Sequence, residues 1–233
     1  MSKHLNLYVF SGLGTDERIF CNIHFPESVN VNFIAWKKPL RKEALEHYVD
    51  RLLEEADQTK PLIFLGLSFG GIIAQEAAKK ITPLQTIIIS SISSPKEIPW
   101  YFRLAGKLKL NWLVPFRLLK LANRSVNWLF SAKRKEDKKL MAEIIRDADV
   151  DLLRWSVENF LAWKNENPVE VFHIHGDKDR LLPLKNKKVN AIVKDGTHLM
   201  IFNKAEEVGK ILREQLTVIL PSRSRIGKDM KKK

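Results

Sequence analysis

One serine stands out in the sequence because it lies between two glycines at a predicted turn. Segment 66–70 reads GLSFG and matches the pattern G-x-S-x-G, with Ser68 at its centre. The apolar run PLIFLGL precedes it, and the helical pattern GIIAQEAAKK follows it. A sharp turn from a strand into a helix strains the central residue and exposes its hydroxyl at the end of the strand. The spacing therefore predicts a nucleophile at Ser68, with an ordinary serine in a glycine-rich turn as the alternative.

Two later segments carry the groups that such a serine requires. Segment 175–183, HGDKDRLLP, follows the apolar run EVFHIH and contains Asp177 and Asp179. Segment 195–200, DGTHLM, follows the run KVNAIV and contains His198. A serine hydroxyl is a poor nucleophile at neutral pH unless a base lies within hydrogen-bond distance, and a carboxylate can orient an imidazole base. The chemistry that these segments could perform together is acyl transfer.

These three segments, each after a predicted strand and in the order Ser, Asp, His, resemble the α/β-hydrolase superfamily. The resemblance implies that Ser68 is the nucleophile and His198 the general base. It places the acid at Asp179, because segment 176–183 matches the family's G-x-x-D-x-x-x-P turn. Asp177 stays open as the alternative acid, although an aspartate in a turn often binds its own loop backbone. Segment 90–94, where some members carry the acid, has no carboxylate. The resemblance implies no cofactor and no metal.

The resemblance also implies two backbone N–H donors for the oxyanion. One is the N–H of Phe69, directly after the nucleophile. The other is the N–H of Leu13, because segment 11–14, SGLG, is similar to the family's His-Gly-x-Gly loop. Ser11 and Leu67 depart from the family pattern, since histidine often occupies both places. An ordinary turn after the first strand is the alternative for this loop, and Glu17 stands where a dinucleotide-binding loop would need its third glycine.

The remaining histidines have weaker claims to chemistry. His173 and His175 alternate along one predicted strand, so they could face the same side as metal ligands. Two histidines without a third ligand nearby make a weak metal site, and we interpret them as core or strand-end residues. His4, His24 and His47 lie in no motif.

The elements that must position these residues alternate between strands and helices. Continuous apolar runs predict strands at 5–10, 31–36, 61–67, 86–89, 170–175 and 188–193. Helical spacing predicts helices at 43–56, 72–80 and 204–220, the last ended by Pro221. Apolar runs without alternation are typical of parallel strands covered on both faces. The pattern predicts an α/β fold, a mostly parallel sheet flanked by helices, with its hydrolase core in 1–94 and 168–220.

Segment 95–167 interrupts this alternation and predicts a helical insertion. It contains five of the six tryptophans, and between Trp100 and Lys139 it has eleven bases but two acids. The resemblance implies that the insertion is a lid over the active site. Arg117, Lys120 and Arg124 share one helical face, which we interpret as solvated. There are two alternatives for this face. One is a binding surface for an anionic substrate such as an acyl-coenzyme A, and the other is peripheral contact with an anionic membrane. No nucleic-acid-binding motif is present.

Composition narrows the class of protein further. The chain has 233 residues, 45% of them hydrophobic, which excludes a disordered chain. A single cysteine, Cys21, excludes a disulfide scaffold. The sequence shows no apolar run of membrane-spanning length and no signal-peptide pattern, so we expect a cytoplasmic protein. The net charge is +13, and the basic segment 221–233 is predicted to be a disordered tail.

The sequence therefore predicts a serine hydrolase acting on a small-molecule carboxylic ester through a Ser68 acyl-enzyme. A thioesterase acting on acyl-coenzyme A or an acyl carrier is the nearest alternative. An alternative of another class is a catalytically silent hydrolase fold that serves as a binding or membrane-surface module, because fold alone does not settle function.

Overall fold

A computed structural model describes residues 5–108, 134–185 and 187–229, with backbone alone for 220–229. The strands are β1 (Leu5–Phe10), β2 (Val29–Ile34), β3 (Leu62–Leu67), β4 (Gln85–Ile89), β5 (Phe172–Gly176) and β6 (Ala191–Val193). The helices in the described ranges are α1 (Leu45–Leu53), α2 (Phe69–Lys80), α3 (Trp100–Lys107), α4 (Lys135–Asp147), α5 (Val150–Ala162), α6 (Met200–Asn203) and α7 (Ala205–Asp229). Short 3₁₀ turns lie at Glu17–Phe20 and Pro95–Glu97.

The strands form one sheet in the order β2-β1-β3-β4-β5-β6, and every neighbouring pair is parallel. All six residues of β1 and all six of β3 are buried, as expected for strands covered on both faces. The predicted α/β fold, a parallel sheet flanked by helices, is confirmed. Because parallel strands end at one edge of the sheet, the segments after β1, β3, β5 and β6 meet there. Those segments contain every predicted site residue.

The core consists of two apolar layers, one on each face of the sheet. Alternate residues of β1 divide between them: Leu7 and Val9 face one layer, and Tyr8 and Phe10 face the other. The first layer packs against α7, and the second packs against α1 and α2. Complete burial of one such side chain contributes about 1.5–3 kcal/mol. This packing holds the carboxyl ends of the strands in a fixed arrangement.

The chain between β4 and β5 forms α3, α4 and α5 and contains no strand among its described residues. Two tryptophans of this segment form hydrogen bonds with the core. Trp155 Nε1 donates to the carbonyl of Glu43 at 2.8 Å, and Trp163 Nε1 donates to Glu76 Oε1 at 2.7 Å. Arg117, Lys120, Arg124 and His4, named in the sequence analysis, lie outside the described residues, as do two tryptophans of this segment, Trp112 and Trp128. The boundaries of the insertion, 95–167, and its role as a lid stay predictions.

Some predicted element ends are wrong. The second strand is Val29–Ile34 rather than 31–36, because its six residues pair with the six residues of β1 and leave Trp36 beyond the sheet. The last helix continues through Pro221 to Asp229, so neither the predicted stop at Leu220 nor a disordered backbone at 221–229 holds. A proline removes one intrahelical hydrogen bond, but its fixed φ is compatible with a helix, so it weakens α7 there without ending it. None of the described helices is long and apolar enough to cross a membrane.

Candidate active site

Ser68 lies in a sharp turn between β3 and α2. Its φ of 52° and ψ of −119° are strained for a residue with a side chain. Two close backbone approaches form this turn. A Cβ on Gly66 would lie 2.2 Å from the carbonyl oxygen of Gly70, and a Cβ on Gly70 would lie 2.2 Å from that of Ser11. Glycine is therefore required at both positions, and the packing of β1, β3 and α2 maintains the strain at Ser68.

Ser68, His198 and Asp179 form a continuous hydrogen-bonded chain. His198 Nε2 lies 2.9 Å from Ser68 Oγ, and His198 Nδ1 lies 2.8 Å from Asp179 Oδ2. A carboxylate oxygen accepts, so Nδ1 carries the proton and Nε2 is left to accept the serine hydroxyl. The structure thus brings together three predicted residues from three separate loops, in the arrangement that activates a serine.

The Asp179 carboxylate is buried but well supplied with donors. Its Oδ1 accepts from the backbone N–H groups of Leu181 at 2.9 Å and Leu182 at 2.8 Å. Burial raises the pKa of Asp179, but His198 and the N–H of Leu182 outweigh burial and leave the pKa below its ordinary value. The carboxylate is therefore charged at neutral pH. Asp177, the alternative acid, is exposed, whereas Asp179 holds the buried position beside His198.

The loops that carry Asp179 and His198 are packed directly against each other. The N–H of Lys178 donates to the carbonyl of Gly196 at 2.9 Å. A Cβ on Gly176 would lie 2.2 Å from that same oxygen. This contact between two backbones fixes the distance between the acid and the imidazole, and it explains the glycine in each motif.

Both predicted oxyanion donors belong to segments that border Ser68. Phe69 is the first residue of α2, where helix N–H groups are available to bind negative charge. Leu13 lies in a turn closed by the Thr15 N–H donating to the carbonyl of Gly12 at 3.0 Å, and a Cβ on Gly12 would lie 3.5 Å from Ser68 Cβ. Ser11 donates its hydroxyl to the Thr15 carbonyl at 2.8 Å. The loop is therefore held rigidly beside the nucleophile.

Sequence reasoning missed the contact that His175 makes with the acid. His175 and His173 are fully buried, as predicted for core residues, and their rings hydrogen-bond to each other at 3.1 Å. His175 Nε2 lies 2.7 Å from the Leu182 carbonyl and 3.5 Å from Asp179 Oδ2. The four-residue spacing between a strand-end histidine and the acid is the signal that could have indicated this contact. Among the described residues, no group of three or more His, Cys, Asp or Glu is placed to hold a metal ion.

No protein-family model and no curated protein matches this sequence. Several solved structures, however, are similar to this chain. An esterase from Thermogutta terrifontis is 14% identical with a TM-score of 0.68, over 94% of this chain and 92% of that one. A carboxylesterase of the thaumarchaeon Nitrososphaera gargenis is 16% identical with a TM-score of 0.69, over the same shares. MenH from S. aureus is 15% identical with a TM-score of 0.66, over 94% of this chain and 96% of that one. At such identities the likeness shows a shared fold.

Proposed function

The chain has the α/β-hydrolase fold, and we propose that it is a serine hydrolase that cleaves carboxylic esters through a Ser68 acyl-enzyme. The observation that carries the proposal is the chain of two hydrogen bonds, 2.9 and 2.8 Å long, from Ser68 through His198 to Asp179. The strained turn that presents Ser68 supports it, because strain is retained where it serves a function. Structural neighbours described as esterases agree with this class of reaction.

In the proposed reaction His198 Nε2 accepts the proton of Ser68 while Oγ attacks the carbonyl carbon of the ester. The N–H groups of Phe69 and Leu13 stabilise the oxyanion of the tetrahedral intermediate, each worth about 3–4 kcal/mol in sites of this kind. His198 then donates its proton to the departing alcohol, which leaves an acyl group on Ser68. Water repeats the sequence and releases the acid. Asp179 orients the imidazole and stabilises its charged form.

The residue after the nucleophile belongs to an aromatic cluster of the core. Phe69 stacks on Trp36 with ring centroids 6.0 Å apart and meets Trp155 edge-on at 6.1 Å, and both Phe69 and Trp155 are buried. This cluster packs the segment around Trp155 against the core, so the proposal of an oxyester rests on the chemistry of the triad. A thioester would react by the same steps and remains the second candidate substrate.

The test is hydrolysis of a matched panel of oxyesters and acyl-coenzyme A thioesters of increasing chain length. We expect faster turnover of oxyesters and loss of turnover in Ser68→Ala. A fluorophosphonate probe should label the wild-type chain and the control Ser28→Ala, which alters an exposed serine, but not Ser68→Ala. A preference for thioesters would move the assignment to a thioesterase.

Absence of both turnover and labelling in the folded wild-type protein would overturn the proposal. The alternative would then be a catalytically silent fold that acts as a binding module. Salt-sensitive co-sedimentation with anionic vesicles would identify that module as a membrane-surface one, because screening weakens attraction between exposed charges.

A further inference from the structure

Two imidazoles face the same oxygen of the candidate acid. Asp179 Oδ2 lies 2.8 Å from His198 Nδ1 and 3.5 Å from His175 Nε2. The proposed mechanism uses only the first of them. His175 is fully buried at the end of β5, so its position is fixed by the core. A second imidazole at this distance can influence both the orientation and the charge of the carboxylate.

The hydrogen bonds around His175 determine which ring nitrogen carries its proton. The carbonyl of Leu182 only accepts, so His175 Nε2, 2.7 Å away, is the donor. In a neutral ring Nδ1 is then an acceptor, and His173 Nε2 donates to it at 3.1 Å. The Nε2–H of His175 consequently lies where it can bond to Leu182 and face Asp179 Oδ2 at once.

The surroundings keep both histidines neutral near pH 7. Burial, with a smaller contribution from the nearby Lys187, lowers the pKa of His175 to about 4 against the opposing charge of Asp179. Burial, then His175 and Lys187, lower the pKa of His173 to about 3. Among the charged groups of this cluster, Lys187 is itself buried and lies 3.7 Å from Glu97 Oε2. Both rings are therefore uncharged and act on Asp179 only as dipoles. The negative charge of Asp179 remains available to orient His198 and to stabilise its charged form.

We propose that His175 is a positioning residue for the Ser68–His198–Asp179 triad, an inference that rests on the proposed function. Its Nε2–H holds the Leu182 carbonyl, and the N–H of the same Leu182 donates to Asp179 Oδ1. The same Nε2–H faces Asp179 Oδ2, the oxygen that accepts from His198. His175 thereby restrains the rotation of the carboxylate and withdraws part of its negative potential from the imidazole.

The variant His175→Leu removes both effects. We expect kcat to fall about tenfold, as for a lost second-sphere hydrogen bond, with KM nearly unchanged because no substrate contact is lost. The acid limb of kcat/KM against pH should move up by about 0.5 pH unit, since a carboxylate with one donor fewer favours a protonated base more strongly. His175→Gln places an amide N–H near the position of Nε2 and should restore most of kcat and the original pH profile.

Ile174→Ala provides the matched control. Ile174 is the neighbouring residue of β5, is equally buried and faces the apolar layer on the other side of the sheet. Its truncation should lower the midpoint of urea unfolding without moving the pH profile. If Ile174→Ala shifts the acid limb as much as His175→Leu does, the effect is general destabilisation and the proposal is overturned.

A second readout needs no substrate. The low-field proton resonance of the His198 Nδ1–H···Asp179 hydrogen bond should shift in His175→Leu and stay in place in Ile174→Ala and His175→Gln. If wild-type protein turns over no ester but this resonance shifts, the positioning role stands and the proposed function fails. Wild-type turnover with an unchanged profile and resonance in His175→Leu would overturn the positioning role alone. Should His175→Leu not fold, His173→Leu removes the donor that fixes the His175 proton, and it must shift the resonance for the proposal to stand.

Discussion

The acid assignment depends on one carboxylate whose two oxygens have different partners. In Asp179→Asn the amide oxygen should occupy the position of Oδ1, because the N–H groups of Leu181 and Leu182 both point at that position. The new amide N–H₂ must then face His198 Nδ1. The imidazole has to move its proton to Nε2, where it can no longer accept from Ser68. We expect kcat for the preferred ester to fall about 10⁴-fold with the fold intact by circular dichroism.

Asp177→Asn is the matched control for that substitution, since Asp177 lies two residues away on the same loop and is exposed. Its kcat should equal that of the wild type. A large loss in Asp177→Asn together with an active Asp179→Asn would transfer the role of the acid to Asp177.

The buried histidines predict a loss of stability in mild acid. Burial holds the pKa of His173 at about 3 and that of His175 at about 4, against 6.5 for a free imidazole. Below pH 6.5 the unfolded chain therefore binds protons that the folded chain does not, so stability falls as the pH falls toward the folded pKa values. Between pH 7 and pH 5 each histidine should cost about 2 kcal/mol in the free energy of unfolding measured with urea.

His173→Gln isolates one of these contributions. Glutamine keeps an N–H for His175 Nδ1 but does not titrate, so the loss between pH 7 and pH 5 should shrink by about 2 kcal/mol. An equal loss in the variant and the wild type would show that His173 is already protonated in the folded protein or is not buried.

At the scale of elements, the turn between β3 and α2 depends on how closely α2 approaches the loop after β4. A Cβ on Gly71 would lie 2.3 Å from Ser91 Oγ and 2.6 Å from Ser91 Cβ, but 3.4 Å from the next nearest atom. Gly71→Ala should therefore destabilise the protein by about 1–3 kcal/mol through overpacking. The measurement is the urea midpoint of this variant against the wild type.

The double variant Gly71→Ala/Ser91→Gly removes both close contacts. Ser91→Gly alone loses the hydrogen bond from Ser91 Oγ to the Ser68 carbonyl, which is worth about 1 kcal/mol. If the steric account is right, the double variant loses less free energy of unfolding than the two single variants lose together. Additive losses would mean that the two residues do not clash.

The sequence predicted the elements best where local pattern and burial agree. Leu5–Phe10 is a strand as predicted, because a continuous apolar run fits a strand buried on both faces. The turn at Ser68 was predictable because glycine spacing, a strand and a helix coincide there. The end of β2 was not, because it depends on the length of β1, with which it pairs. The predicted end of α7 at Pro221 was wrong. A proline indicates a local helix end, but it carries no information on how far the rest of the helix stabilises the helical conformation.

The candidate site shows the same division between local and long-range information. Each loop was visible in sequence, and the three named side chains are in contact in the structure. The place of His175 behind Asp179 was missed because it depends on how segment 177–182 folds back over the end of β5. Periodicity assigns a buried face to His175 but does not say what lies opposite it.

At the scale of the whole molecule, one buried ion pair joins the start of the helical insertion to the loop that carries the acid. Lys187 and Glu97 belong to these two segments, and the Lys187 side chain is completely buried. Glu97 also accepts from the N–H and the hydroxyl of Ser93 at 2.9 and 2.8 Å. Burial lowers the pKa of Lys187, while Glu97 and Asp179 oppose that shift. Among the described residues, Glu97 is the carboxylate within ion-pair distance of this buried cation, and Lys187 Nζ makes no hydrogen bond, so the compensation of its charge depends on Glu97.

Glu97→Gln should therefore leave a poorly compensated charge in the interior and lower the free energy of unfolding at pH 7 by about 3–5 kcal/mol. Because the unfolded lysine binds its proton more tightly than the folded one, stability should recover as the pH rises toward 10.5, more in Glu97→Gln than in the wild type. Lys187→Met removes the cation, so adding Glu97→Gln to it should cost little. If Glu97→Gln lowers the free energy of unfolding equally with and without Lys187, the loss comes from the Ser93 hydrogen bonds. The ion pair would then contribute nothing to holding the insertion against the acid loop.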